Sequence, residues 1–165
     1  MIAVRPETVE DQAAIRTVVA AAFGREAEAD LVDRLRQGGD LVLSLIAVDS
    51  AEVVGHIAFS RLWIEVEGAP FAAVCLAPLS VRPDRQRQGI GARLIVDGHR
   101  RLAQSAERLS VLVGHPDYYP RFGYRRALAA GFATPWQGEA LLACAFADAP
   151  TTGTLRFAGA FQGMD

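Results

Sequence analysis

The chain is short of cysteine, with only Cys75 and Cys144 in 165 residues. That scarcity excludes a disulfide framework, and neither residue sits in a metal-ligand spacing, so no metal site is expected. Both fall within strand-like runs and read as reduced core thiols. No apolar run reaches the roughly 18 residues that a membrane helix needs, so no membrane partner is expected. The first residues lack a basic segment followed by an apolar core, so the expected location is cytoplasmic. A formal net charge of −2 leaves no overall field to attract nucleic acid or an acidic lipid surface. Arg82, Arg85, Arg87, Arg93, Arg100 and Arg101 do cluster, but without the interleaved aromatic residues of a single-strand binding groove. The glycine-rich stretch fails both common phosphate signatures. Leu94 stands where G-x-G-x-x-G requires its third glycine, and no Gly-Lys-Ser/Thr follows.

What is present is a hydrophobic share of 51%, high for a soluble chain, in a length that suits one domain. Such a chain buries roughly 70% of its unfolded surface, enough for a substantial core. No repeat, linker or composition shift divides it. We read a single domain over 1–165, with a core of 2–147 and a terminal strand or tail over 148–165.

Hydrophobic periodicity assigns the elements. Met1 to Arg5 alternates weakly and reads as a first strand. Thr8 to Phe23 reads as a helix with Thr8 or Asp11 at its start, and Glu26 to Gln37 as a second helix. Leu41 to Val48, Val53 to Val66 and Phe71 to Val81 read as strands, with a hairpin at Glu67-Gly68. Pro78 interrupts the third of these. A proline cannot donate to a ladder, so it marks a bulge or a point where pairing stops. A helix follows from Gly91 to Ala106, with Ile90, Leu94, Ile95, Gly98 and Leu102 on one stripe. Arg108 to Val113 is then a strand parallel to the one before the helix. Phe132 to Trp136, Ala140 to Phe146 and Gly153 to Gln162 supply the remaining strand-like material. The apolar C-terminal strands leave pairing between two copies open.

The most informative stretch is Arg85-Gln86-Arg87-Gln88-Gly89-Ile90-Gly91-Ala92, between a strand and a helix. Such a loop converges backbone N–H groups with the positive end of a helix dipole, which suits a phosphate or pyrophosphate. Two glycines also suit a strand-to-helix turn that binds nothing. Twenty-eight residues beyond Gly91 lies Tyr119, within a second stretch, His115-Pro116-Asp117-Tyr118-Tyr119-Pro120-Arg121-Phe122-Gly123-Tyr124, which follows a strand.

Gln86, Gly89 and Gly91 resemble the Q-x-x-G-x-G pyrophosphate motif of the GCN5-related N-acetyltransferase (GNAT) family. Tyr119, Gly123 and Tyr124 resemble its Y-x-x-x-G-F element, and the string from His115 to Tyr124 is similar to the YhbS-like subgroup. The resemblance runs from Ile2 to Ala147 and is strongest from Leu79 to Tyr124. It implies an α/β (α+β) GNAT fold, with a mixed, mostly antiparallel sheet of about seven strands flanked by helices. It also implies a splayed parallel strand pair that admits the pantetheine arm of acetyl-CoA. The implied cofactor contacts are Leu79, Ser80, Val81, Arg85, Gln86, Arg87, Gln88, Gly89, Ile90, Gly91, Ala92 and Phe122. Arg85, Arg87 and Arg93 are expected to face the phosphates.

The implied activity is acetyl transfer from acetyl-CoA to a primary amine of a small molecule or peptide, by direct attack in a ternary complex. Tyr119 is the implied general acid for the departing thiolate. Many relatives place a glutamate on the strand before the loop, but Cys75-Leu76-Ala77-Pro78-Leu79-Ser80-Val81 carries no carboxylate. His115 is the base candidate, with His56, Glu65 and Asp117 behind it. The missing glutamate also motivates a non-catalytic acyl-CoA-binding module.

Overall fold

A computed structural model describes residues 1–164. Strands β1 (Ile2–Pro6), β2 (Leu41–Asp49), β3 (Glu52–Val66), β4 (Ala69–Val81), β5 (Leu109–Val113), β6 (Gly131–Ala133), β7 (Leu141–Ala145) and β8 (Thr152–Arg156) form one sheet. Its order is β1-β2-β3-β4-β5-β7, and β8 pairs with both β3 and β6. All pairings are antiparallel except β4 with β5 and β6 with β8. The helices are α1 (Gln12–Phe23), α2 (Ala27–Gln37) and α3 (Ile90–Gln104). The eight strands exceed the expected seven by the short β6, whose three residues carry too little pattern to count alone. The apolar residues of β7 and β8 are used within the chain, β7 against β5 and β8 against β3.

The third helix is built as its stripe predicts. Ile90, Leu94, Ile95, Gly98 and Leu102 are its buried residues. They join Leu45, Ile57, Phe59 and Leu76 in the core beneath one face of the sheet. Each fully buried aliphatic side chain there contributes about 1.5–3 kcal/mol relative to an exposed one. The opposite face carries α1 and α2, where Ile15, Val19 and Val32 pack on Ile46 of β2. A third cluster gathers Leu35, Ile64, Val111, Phe132, Leu141 and Phe161.

The start of α1 differs from expectation. Val9–Asp11 forms a 3-10 turn, and the α-helix begins only at Gln12. Asp11 accounts for the turn. Its carboxylate accepts from the Thr8 amide at 2.7 Å and from Arg5 at 2.7 and 3.1 Å. The end of the chain differs too: β8 stops at Arg156, and Gly159–Phe161 is a 3-10 turn rather than strand.

The Arg5 guanidinium, with help from Thr8, holds the Asp11 carboxyl well below the usual carboxylate range. A carboxylate depressed on folding stabilises above its unfolded pKa and loses that effect as pH falls through its folded value. We therefore expect Asp11→Ala to lower stability by about 1 kcal/mol at pH 7. Urea melts of the two proteins should converge as the pH drops below about 4.

Candidate active site

The decisive geometry lies where β4 and β5 part. Their parallel pairing consists of Val74 with Ser110 and Cys75 with Val111, and goes no further. On its other side β4 stays paired with β3 as far as Val81. The register there jumps: Ile57 faces Leu79, whereas Phe59 faces Leu76. One extra residue is thus accommodated in β4 around Ala77-Pro78, whose peptide is cis. Proline brings no N–H to the ladder, so the bulge falls where a lost donor costs least. Beyond Cys75 the edge of β4 that faces β5 is left without a strand partner.

The glycine loop follows directly. Gly89 caps α3 from the left-handed region at φ 80°, which a side chain would strain. Arg87, at φ 64°, adopts the same region without being glycine. Gln86 stays exposed, and its side-chain amide donates to Val81 O at 3.0 Å. The motif's glutamine thereby ties the loop back to the strand. Arg85 also braces: Nη2 donates to Asp49 at 2.8 Å, and Nε to Gln88 at 3.2 Å. Its guanidinium thereby links the loop to the end of β2. The first amides of α3 have no acceptor inside the helix and sit behind this loop. Gln88, Ile90 and Ala92 complete the run, with Ile90 buried as the helix's first core residue.

The two tyrosines separate. A Cβ on Gly91 would stand 3.3 Å from Tyr118 Oη, so Tyr118 leans over the loop. Phe122 packs edge-on against it, and Arg121 lies over its ring. Tyr119 turns the other way and lines a cavity of about 470 Å³ at the parted strands. Its ring lies against Gly114, where a Cβ would come within 2.7 Å of it. The ring also meets Tyr124 edge-on at 5.8 Å. Tyr124 is fully buried, and its hydroxyl is held by Ser110 at 2.7 Å and His99 at 2.9 Å. Burial pushes the Tyr119 phenol up to about 12, so it stays protonated at any physiological pH.

The cavity is bounded by Cys75 to Leu79 of β4 and by Val113, Gly114 and His115 at the end of β5. Phe23, Glu28 and Leu31 close it from α1 and α2, and Trp136, Phe157, Phe161 and Met164 from the last part of the chain. Burial pushes the Cys75 thiol up to about 12, so no thiolate is available there at neutral pH.

The base candidates sort cleanly. His115 lines the cavity. His56 does not: it is fully buried between strands, with Nε2 2.8 Å from Ser44 Oγ. Ser44 in turn donates to Glu7, which binds Arg36 through both oxygens. Its β4 neighbour in register is Ser80, and both Ser80 Oγ and His56 Nδ1 are buried without a hydrogen-bond partner. Glu65 is paired with Arg156 at the far end of β3. Asp117 is exposed in the loop before the tyrosines. The carboxylate that the cavity does hold, Glu28, was missed because it lies far in sequence from every motif.

Residues 3–127 match the family described as "Acetyltransferase (GNAT) domain". The chain belongs to the GNAT acetyltransferases. It is 33% identical over 136 residues to the uncharacterized N-acetyltransferase YhbS of Escherichia coli, covering 82% of this chain and 80% of that one. It is 36% identical over 129 residues to the uncharacterized N-acetyltransferase YjhQ of the same organism, covering 76% and 71%. A GNAT acetyltransferase of Brucella melitensis, solved with acetyl-CoA, superposes with a TM-score of 0.85 at 35% identity, over 98% of this chain and 99% of that one. Escherichia coli YhbS, solved with CoA, gives 0.90 at 29% identity, over 99% and 93%. The expected fold and family are therefore confirmed. No helix among the described residues is long and apolar enough to cross a membrane.

His56 and His99 supply a check on the buried polar groups. Burial lowers both to about 4. The unfolded chain takes up these protons below about 6.5 while the folded protein resists them. Stability should therefore fall as pH drops from about 6.5 to about 4, by up to about 1.4 kcal/mol per pH unit per histidine. His99→Phe should flatten that decline in urea melts at pH 7, 6 and 5.

Proposed function

We propose that this protein transfers an acetyl group from acetyl-CoA to a primary amine by direct attack, with Tyr119 as general acid. The observation that carries the reading is the placement of the anion-binding loop and Tyr119 on either side of one unpaired stretch of β4. The relatives solved with acetyl-CoA and CoA support the choice of donor. Three features of the chain fit it. The loop from Gln86 to Ala92 offers the helix N-terminus for the pyrophosphate. The open edge of β4 from Leu79 to Val81 offers backbone groups to the amides of the pantetheine arm. Tyr118 and Phe122 lie beside the loop, where that arm and the phosphates meet it.

The bound donor supplies a thioester carbonyl at the strand gap. A neutral amine attacks it, the N–C bond forms, and the C–S bond breaks. Tyr119 gives its proton to the departing thiolate, and a proton leaving the nitrogen restores the phenol. A thiolate of ordinary pKa about 8.5 is the stronger acid's conjugate, so the transfer succeeds by position rather than by acid strength. The raised phenol favours a donor that is always loaded. Direct attack is favoured over an acyl-cysteine route because Cys75, the thiol in the cavity, is held protonated.

An alkylamine with a pKa of about 10.4 must lose a proton first, a handicap of about 4.6 kcal/mol at pH 7. His115 is the histidine placed at the cavity to relay it. A module that only bound acyl-CoA would need the loop and the open edge but no walled space beyond the acyl end.

Tyr119→Phe should lower kcat ten- to several-hundred-fold and leave the acetyl-CoA Kd within about twofold, read by thiol release and calorimetry. Unchanged kcat on the best amine would remove Tyr119 from the mechanism. Gly114→Ala, which forces the Tyr119 ring to move, should reproduce most of that loss. In the wild type, activity should show no alkaline decline attributable to Tyr119 below about pH 11.

A further inference from the structure

The cavity has a chemical character of its own, apart from the donor site. Glu28 is the one carboxylate among its described lining residues. It is only 7% exposed, in the first turn of α2. Arg25 meets it from the solvent side, with Nε donating to Oε1 at 2.8 Å and Nη2 to Oε2. The pair does not saturate Glu28, since each carboxylate oxygen can accept again. Around it the surface is aromatic. Trp136 and Phe157 meet edge-on at 4.8 Å, Phe157 and Phe161 at 5.8 Å, and Phe23 adds a ring from the end of α1. A solvated i,i+3 ion pair would stabilise α2 equally well while facing water. Here the carboxylate faces an apolar chamber, where an unmatched charge is expensive and a matched one selective.

We propose that Glu28 is the anchor for the acceptor's ammonium group and that the chamber takes amines with one cationic head on an aryl or branched-alkyl body. This rests on the acetyl-transfer reading above. The ammonium docks on Glu28, and His115 takes one of its protons and passes it to solvent. The freed lone pair attacks the thioester, and the remaining steps are those described for Tyr119. Amines carrying several charges are selected against, because each further ammonium would leave water to face rings rather than carboxylates.

The test is steady-state kinetics of the full chain with acetyl-CoA, comparing phenethylamine, tryptamine and isoamylamine with spermidine and kanamycin. The sequence contains no lysine, so its own side chains add no competing acceptor. We expect kcat/KM at least tenfold higher for the first group. Glu28→Gln should lower kcat/KM for phenethylamine about a hundredfold, mainly through KM. Glu28→Asp should recover part of it, and the acetyl-CoA Kd should stay within twofold of wild type. Better turnover of spermidine or kanamycin overturns the proposal, as does a Glu28→Gln enzyme within threefold of wild type while its melting temperature changes. If no amine turns over, calorimetry on the CoA-loaded protein decides. Phenethylamine binding that Glu28→Gln abolishes supports the anchor, and no amine binding overturns it. Failure to bind acetyl-CoA at all overturns the donor reading instead.

Discussion

The structure depends on a ladder that stops early. Two residue pairs hold β4 parallel to β5, and then the strands separate. Backbone groups left open in a protein interior are costly unless something meets them. A gap of this kind persists because the surroundings enforce it. The bulge at Pro78 redirects β4, continued pairing with β3 holds it in place, and β7 secures the other side of β5. The result is an open strand edge held rigidly in place. The loop, the tyrosines and the cavity are arranged around its two ends.

A second constraint is the shortage of charge near the gap. Cys75 and Tyr119 keep their protons, and His56, set deeper, stays neutral. These groups are silenced by burial rather than by partners. Within such surroundings a single carboxylate has a disproportionate effect, because nothing nearby competes with it for a cation. The buried line from Arg36 through Glu7 and Ser44 to His56 is likewise balanced from one end only, and it ends at the unpartnered His56 Nδ1 beside Ser80.

Much of this was legible in the sequence. The stripe from Ile90 to Leu102 fixed α3 because every member follows helical spacing. Pro78 announced the bulge because its missing donor is a local property. Tyr119 was separable from Tyr118 by its spacing to Gly123-Tyr124, and the two rings do point to different places. The illegible parts share a cause. Glu28 and the aromatic wall are brought to the gap by long-range packing, from segments before and after every motif. The brace from Arg85 was illegible for the same reason: its partner, Asp49, lies thirty-six residues away at the end of another strand. Val9–Asp11 escaped because a 3-10 turn and a helical first turn share the same capping residues.

The layout also divides the gene. The family match ends at residue 127, and by then it has covered the loop, the tyrosines and the parted strands. Trp136, Phe157, Phe161 and Met164 all lie beyond it. The cavity wall is therefore drawn from both sides of that limit, since Phe23, Glu28 and Leu31 lie within the matched span.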